Sequence, residues 1–264
     1  MNIPTLDKPI AHGHTADVYL WDDTRVLKLF HNWFDLKSVE YEFKIARAVH
    51  ASGIKAPMVH ELIQVEGRSG LLYERAKGKT MLAMFQHRPN RVFQYARTLA
   101  RLHADMHGRV FDADVPQQHV RLQNKINQAD ALSSSVKHSL IKALDAMPKG
   151  NRVCHGDFHP DNILLTENET TIIDWMDASQ GNPLADVART SIIVLGSIAG
   201  KQVPNPFLRV FVRLFHTSYL REYFRLRPEG RHEYRHWLPL VAGARLTEGM
   251  PELEKWLVEL AENV

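Results

Sequence analysis

Two carboxylates and an amide recur in the chain at a spacing that suits phosphoryl transfer. Residues 155–162 read HGDFHPDN, so that Asn162 follows Asp157 by five positions, and Asp174 comes twelve positions later in IIDW. In such a set the first carboxylate orients or accepts the proton of an attacking hydroxyl, and the amide and second carboxylate hold Mg²⁺ against nucleotide phosphates. A turn rich in Asp and Asn without chemistry is the alternative, and the order and spacing of the whole set favour the chemical interpretation.

The residues between Asn162 and Asp174 predict a β-hairpin. Ile163–Leu165 and Thr171–Ile173 are short apolar or β-branched runs, and the polar residues 166–170 between them are typical of a turn. We expect this hairpin to return Asp174 to the side of Asn162.

A lysine within an apolar strand indicates a second group of functional residues. Lys28 follows Val26 and Leu27, and a lysine in such a run is rarely buried without a partner. The helix predicted over 36–50 offers Glu40 and Glu42. At 100° per residue its apolar arc is centred on position 42 and consists of Val39, Ile45, Ala46 and Val49. Glu42 is therefore the predicted partner of Lys28, and Glu40 faces outward.

The block HGDFHPDN followed by IIDW resembles the aminoglycoside phosphotransferase and choline kinase branch of the protein-kinase-like superfamily. That branch carries His-Gly-Asp where protein kinases carry His-Arg-Asp, and it often lacks the glycine after the metal-binding aspartate. Trp175 follows Asp174 here, in agreement with that branch.

The resemblance implies an α+β, protein-kinase-like, two-lobed fold. Residues 1–75 would form a small antiparallel-sheet lobe with one main helix, which covers the nucleotide. Residues 76–264 would form a larger, mostly helical lobe for catalysis and acceptor binding, with a hinge at about 74–79.

The resemblance also implies roles for single residues and a nucleotide, ATP or GTP, with Mg²⁺. Asp157 would be the catalytic residue, and Asn162 and Asp174 would hold the metal. The predicted nucleotide-binding residues are Gly13 in a reduced phosphate-covering loop, Lys28, Glu42, and the backbone of Glu74 and Ala76 at the adenine edge. Asp186 would brace the catalytic loop, residues 155–162, without taking part in the chemistry.

The acceptor is expected to be the hydroxyl of a small molecule. About a dozen residues separate Asp174 from Asp186, which leaves little room for the regulated segment of a protein kinase. From Gln180 onward there are 11 Lys and Arg against 9 Asp and Glu, whereas polycationic aminoglycosides favour acidic sites. An aminoglycoside, an amino alcohol such as choline, a sugar and a macrolide stay open as acceptors. The alternatives are a catalytically silent binding module and a protein or RNA-processing kinase.

Composition excludes several other classes of protein. The 264 residues are 44% hydrophobic and 24% charged, and no apolar run approaches the ~20 residues of a membrane span. The net charge of +3 is dispersed, which argues against nucleic acid as a partner. The N-terminus lacks the pattern of a secretory signal, and the single Cys154 suits a reducing compartment, so a cytoplasmic location is expected. The oligomeric state stays open.

The larger predicted lobe carries several structural expectations. A helix over 91–107 would begin at an Asn90 cap, and a second helical stretch would run over 122–147. His103 and His107, one turn apart, suit a metal ion or, as the preferred interpretation, a buried structural role. A core-facing stripe is predicted for Phe207, Phe211, Phe215 and Tyr219, and a core position or a pocket wall for Tyr223, Phe224, Tyr234, Trp237 and Trp256.

Overall fold

The computed structural model describes residues 8–203 and 205–264, which divide into two compact units. The first unit contains the chain up to Thr80 together with Ile163–Met176, and the second contains Met81–Asn162 together with Asp177–Val264. The first holds an antiparallel sheet with one main helix and the second is mostly helical, so the α+β class is confirmed. The division at 75 and 76 stays a prediction.

The first unit is built on a five-stranded antiparallel sheet. Its strands are β1 (Ala11–His12), β2 (Ala16–Leu20), β3 (Arg25–Phe30), β4 (Val59–Val65) and β5 (Arg68–Glu74), in the spatial order β1-β2-β3-β5-β4. Helix α1 (Leu36–Ala51) begins at Asp35, whose carboxylate accepts the N–H of Ser38 at 2.9 Å. Strand β5 follows β4 after only two residues, because Glu66 and Gly67 both adopt positive φ and close a hairpin turn.

The predicted hairpin after Asn162 is confirmed. Strand β6 (Lys79–Thr80) pairs with β8 (Ile163–Leu165), and β8 pairs antiparallel with β9 (Thr170–Ile172). The register places Ile163 opposite Ile172. The Thr166 hydroxyl closes the turn by accepting the N–H of Glu169 at 2.9 Å.

The second unit packs helices around one short β-ribbon. Its elements are α2 (Met81–His87), α3 (Val92–Met106), α4 (Gln118–Gln128), α5 (Ser134–Ala146), β7 (Arg152–Cys154), β10 (Ser179–Gly181), α6 (Pro183–Ala199), α7 (Pro206–Leu226), α8 (Tyr234–Arg245) and α9 (Pro251–Ala261). Strands β7 and β10 pair antiparallel. Helix α3 packs on α7, and α8 packs on α4, α5, α6 and α9. Among the described residues, no helix combines the length and the apolar composition that a membrane crossing requires.

Two helix predictions for this unit are wrong in detail. Asn90 is not a cap, because Pro89–Arg91 forms a 3₁₀ turn and α3 begins after Arg91 without a side-chain cap. The stretch 122–147 is not one helix, because α4 ends at Gln128. Ser133 then starts α5 by accepting the N–H of Val136 at 3.3 Å.

The aromatic stripe on α7 is buried only in part. Phe215 and Tyr219 are buried, whereas Phe207 is 79% exposed and Phe211 is intermediate. A four-residue repeat advances by about 40° per step relative to the helix axis, so that three steps carry a side chain about a third of the way around the helix. The later aromatics Tyr223, Phe224, Tyr234 and Trp237 are buried core residues, as the sequence favours, and Trp256 is half-buried.

This difference between two phenylalanines on one helix can be measured. We expect Phe215→Ala to lower the free energy of unfolding by ~3–5 kcal/mol, because it removes a buried ring and leaves a cavity. Phe207→Ala, the matched control, should change it by less than ~0.5 kcal/mol, because that ring is in solvent. Urea unfolding of both variants makes the comparison, and equal losses would contradict the helix phase described here.

Candidate active site

Lys28 and Glu42 form the ion pair that the helix phase predicts. Lys28 Nζ lies 2.8 Å from Glu42 Oε1 and 3.0 Å from Oε2. Glu42 is buried on α1 at 4% exposure, and Glu40 is exposed. The hydroxyl of Tyr73 on β5 donates to Glu42 Oε1 at 3.0 Å. Glu42 therefore holds Lys28 in a fixed position, and Tyr73 is a second donor to the same carboxylate.

The charges of this group keep Lys28 protonated. Burial by itself would lower the pKa of Lys28, but the carboxylates of Glu42 and Asp174 outweigh burial and raise that pKa. Burial and the charge of Glu42 raise the pKa of Tyr73 well above its usual range, so that Tyr73 acts as a hydrogen-bond donor. Lys28 is therefore a fixed ammonium held between two carboxylates.

Asp174 lies beside the pair of Lys28 and Glu42, and the backbone of Asp174 is constrained. Its Oδ1 lies 3.9 Å from Lys28 Nζ, and its side chain is 51% exposed. Its φ is 64°, in the left-handed region that a non-glycine residue adopts at a cost in energy. Trp175 fixes the following turn by donating its Nε1–H to Ile172 O at 2.9 Å. The strained backbone presents the Asp174 carboxylate to solvent beside a cation.

The other predicted nucleotide residues of the first unit lie in turns and at a strand end. Gly13 donates its N–H to Ala16 O at 2.9 Å in the turn from β1 to β2, and a Cβ on Gly13 would lie 3.0 Å from that oxygen. Glu74 ends β5, and its N–H donates to Met58 O at 2.8 Å. Since that N–H is engaged, a contact between Glu74 and a base must use the carbonyl oxygen. Ala76 follows β5 and is half-buried.

In the second unit, Asp157 is surrounded by donors. Asn162 donates its Nδ2–H to Asp157 O at 2.9 Å and to Oδ2 at 3.3 Å. His159 Nε2 lies 3.3 Å from Oδ2, and Arg189 Nη2 lies 3.5 Å from Oδ1. Burial would raise the pKa of Asp157, but His159 and Arg189 together hold it well below its usual range. The carboxylate is ionised at neutral pH.

The buried Asp186 braces this loop, as the resemblance implies. Its Oδ2 accepts the backbone N–H of His155 at 2.6 Å, and its Oδ1 accepts that of Gly156 at 2.8 Å. The Nε2 atoms of His103 and His107 on α3 lie 3.2 and 3.3 Å from the same Oδ2. One carboxylate on α6 thus joins the catalytic loop to α3.

Both α3 histidines are buried, as the preferred interpretation of the sequence has it. Tyr219 donates its hydroxyl to His103 Nδ1 at 2.6 Å, and Tyr223 donates to His107 Nδ1 at 2.7 Å. Asp186 and the two histidines have possible metal-ligand atoms within 4.8 Å of one another. Every ring nitrogen of these histidines, however, already has a protein hydrogen-bond partner. Burial and the neighbouring His107 lower the pKa of His103 to about 3, so that His103 stays neutral within the network.

Arg189 is a site residue that the sequence interpretation missed. Its Nε–H donates to Gly156 O at 2.9 Å, its Nη1 lies 2.5 Å from Glu248 Oε1, and its Nη2 reaches Asp157. Gly156 is required where it stands, because its φ is +80° and a Cβ would lie 2.4 Å from Asp177 O. The sequence could have indicated Arg189 through its position three residues after Asp186, since residues three apart lie on one face of a helix.

Known proteins resemble this chain in sequence family and in fold. A family model described as "Phosphotransferase enzyme family" matches residues 7–237. No curated protein matches the chain in sequence. An aminoglycoside-3'-phosphotransferase of type VIII superposes with a TM-score of 0.61 at 18% identity, covering 90% of this chain and 94% of that one. An amicoumacin kinase in complex with AMP-PNP, Ca²⁺ and its ligand Ami has a TM-score of 0.60 at 17% identity, covering 97% and 86%.

A third solved structure widens the range of similar proteins. A protein described as "Putative fructosamine-3-kinase" from Haemophilus somnus has a TM-score of 0.58 at 13% identity, covering 98% of this chain and 91% of that one. At these identities the superpositions show a shared fold.

The two glutamates of α1 provide a matched test of the Lys28 group. We expect Glu42→Gln to lower the free energy of unfolding by up to ~3–5 kcal/mol, because breaking a buried pair leaves Lys28 and Tyr73 without their charged partner. Glu40→Gln should change it by ~0–1 kcal/mol, because Glu40 is exposed. Urea unfolding and nucleotide titration of both variants test this, and a larger loss in either property from Glu40→Gln would refute the assignment.

The network around Asp186 predicts acid sensitivity. In the folded protein His103 stays neutral down to its pKa of about 3, whereas the unfolded chain takes up this proton near pH ~6.5. The free energy of unfolding should therefore fall as the pH decreases below ~6.5, by ~1.4 kcal/mol per pH unit for this one proton.

Two histidine variants isolate that proton. His103→Gln should reduce the slope of the free energy of unfolding against pH, between pH 7 and 5, by the contribution of one proton. The exposed control His87→Gln should leave that slope unchanged. Urea unfolding measures the slopes, and a His103 ring that titrates near pH 6.5 by NMR would contradict the prediction.

Proposed function

Because the chain belongs to the phosphotransferase enzyme family, we propose that it transfers the γ-phosphate of a nucleoside triphosphate to the hydroxyl of a small molecule. The protein is accordingly a kinase, a phosphotransferase with an alcohol group as acceptor. The observation that carries the proposal is the ionised Asp157 carboxylate, held by Asn162, His159 and Arg189 on a loop that Asp186 braces. A silent binding module would have no need to keep this carboxylate charged and fixed.

In the proposed reaction, Asp157 acts on the hydroxyl of the acceptor. The acceptor oxygen attacks the γ-phosphorus, the bond from that phosphorus to the β,γ-bridging oxygen breaks, and the nucleoside diphosphate leaves. The carboxylate accepts the hydrogen bond of the hydroxyl and so aims its lone pair, and it receives the proton as the new bond forms. A carboxylate with a lowered pKa is a weak base at neutral pH, so its main contribution is to orient the hydroxyl.

The residues at the predicted metal positions fit Mg²⁺. An amide oxygen and a carboxylate are the hard ligands that this ion prefers. The Nδ2 of Asn162 is committed to Asp157, which leaves Oδ1 as the atom for a metal, and the Asp174 carboxylate is half exposed beside Lys28. When bound, the ion would neutralise charge on the nucleotide phosphates.

The nucleotide is assigned to the first unit. Lys28 would contact the phosphates, and Glu42 would fix Lys28. Gly13 would let the backbone approach the phosphates closely. The Glu74 carbonyl would accept from the base, and the Ala76 N–H would donate to it. The similar amicoumacin kinase binds AMP-PNP, which favours ATP for this chain, and GTP is the second candidate.

A small acceptor is supported by the segment after Asp174. Residues 177–182 hold only the short strand β10 before α6 begins at Pro183. A protein kinase uses a much longer segment there to order a peptide. The similar proteins are named as kinases of an aminoglycoside, amicoumacin and fructosamine, all small molecules. A cytoplasmic location and the lack of a nucleic-acid partner stay predictions.

Two aspartates of the catalytic loop test the proposal. We expect Asp157→Asn to fold and to bind nucleotide, and to lose ~10²–10⁴-fold in turnover, because the amide cannot orient or accept the acceptor proton. Asp161→Asn, the exposed control on the same loop, should keep the turnover of the parent. Diphosphate release with a saturating acceptor from a panel of hydroxyl compounds measures both. Full turnover by Asp157→Asn would contradict the role assigned to Asp157.

A further inference from the structure

His31, which directly follows strand β3, contacts the turn from β1 to β2 through both its backbone and its side chain. Its backbone N–H donates to Thr15 O at 2.9 Å, and its ring Nε2 lies 3.3 Å from Gly13 O. A carbonyl oxygen only accepts hydrogen bonds, so Nε2 carries the hydrogen of this contact. One residue therefore holds the carbonyl groups at both ends of residues 13–15, which we call the Gly13 turn.

The direction of the Gly13 carbonyl decides where a neighbouring donor points. This carbonyl and the N–H of His14 belong to one trans peptide group, in which they point in opposite directions. In the part of the chain that the structure describes, the N–H groups of His14 and Thr15 have no protein acceptor. Successive free N–H groups in a turn attract anions. The ring that holds the carbonyl therefore also directs an N–H group that is open to an anion.

Asp17 on β2 holds the start of the Gly13 turn independently of His31. Its Oδ1 lies 2.9 Å from His12 Nδ1, and these two residues lie opposite each other in the register of β1 and β2. Its Oδ2 lies 3.7 Å from Arg68 Nη2 and 3.8 Å from His31 Nδ1, both beyond hydrogen-bond distance. The contact with Gly13 is thus the hydrogen bond of the His31 ring, and a substitution of His31 leaves the anchor at Asp17 in place.

Aromatic rings support His31 in this position. The ring of Trp33 lies 6.2 Å from that of His31 at an angle of 30°, and it meets the ring of His14 edge-on at 5.6 Å. Trp33 also packs edge-on against Phe34 at 5.8 Å, and Phe34 stacks on the buried Phe30 at 5.0 Å. Because His31→Phe keeps a ring among these neighbours and removes the N–H, it separates ring packing from hydrogen bonding.

We propose that His31 positions the turn that binds the nucleotide phosphates. Its Nε2–H holds the Gly13 carbonyl and so directs the N–H of His14 to a phosphate oxygen, while His31 itself touches no ligand. The inference rests on the proposed function, in which the backbone at Gly13 approaches the phosphates, and it adds a positioning residue to that site. If His31 served only the fold of the first unit, its loss would not distinguish a ligand with phosphates from one without them.

Two ligands that differ in their phosphates test this role without an acceptor. Mg·AMP-PNP carries the phosphates and adenosine lacks them. Calorimetry measures the affinity of AMP-PNP, and competition with AMP-PNP measures that of adenosine. The variants are His31→Phe and His31→Met, which lack the donor, and His31→Gln, whose side-chain amide can still donate to Gly13 O. His60→Phe is the matched control, because His60 is exposed on β4 of the same sheet.

The two donorless variants should lose affinity for the phosphates alone. We expect His31→Phe and His31→Met to weaken binding of AMP-PNP by about three- to tenfold, the factor that one hydrogen bond contributes, and to bind adenosine like the parent. His31→Gln should bind AMP-PNP within about twofold of the parent, and His60→Phe should match the parent. In turnover, His31→Phe should raise the KM of ATP and leave the KM of the acceptor unchanged.

The outcomes separate this inference from the proposed function. Unchanged affinity of His31→Phe and His31→Met for AMP-PNP overturns the inference. Equal losses for AMP-PNP and adenosine also overturn it, because they assign His31 to the fold alone. A loss in His31→Gln as large as that in His31→Phe would exclude the donated hydrogen bond as the cause. Failure of the parent to bind Mg·AMP-PNP counts against the proposed function itself.

Discussion

The carboxylate of Asp186 is the constraint on which the second unit depends. It is fully buried and accepts from two backbone N–H groups of the catalytic loop and from two histidine rings of α3. Hydrogen bonds to a charged group contribute ~1.5–3 kcal/mol each, and a buried donor left alone costs a comparable amount. The loop can therefore hold an unusual backbone, with φ of +80° at Gly156, because a charge inside the unit fixes it.

The first unit uses a buried carboxylate in a different way. Glu42 fixes a side-chain charge, that of Lys28, whereas Asp186 fixes backbone groups and neutral rings. In both places low polarity strengthens the interaction and makes its loss expensive. The consequence is that Lys28 and Asp157, to which we assign phosphate binding and hydroxyl orientation, are each positioned before any ligand arrives, which would reduce the reorganisation that the proposed reaction requires.

Local patterns in the sequence predicted the parts of this arrangement that lie within a few turns or strands. The 3.6-residue period separates Glu42 from Glu40, and two short apolar or β-branched runs around a polar turn predict the hairpin between Asn162 and Asp174. The four-residue aromatic stripe misled at Phe207, because its drift around α7 shows only over several turns. The pair of Arg189 and Glu248 joins α6 to the 3₁₀ turn after α8 across 59 positions, and no periodicity in the sequence predicts a contact of that kind.

Arg189 connects the electrostatics of Asp157 with the backbone of its loop. Its guanidinium helps to lower the pKa of Asp157, which weakens the carboxylate as a base and keeps it charged for the orienting role that we propose. A loose transition state for phosphoryl transfer needs little removal of the proton before the phosphorus is attacked, so orientation suffices. Arg189 also donates to Gly156 O and pairs with Glu248, so the guanidinium that acts on Asp157 is itself held by two further partners.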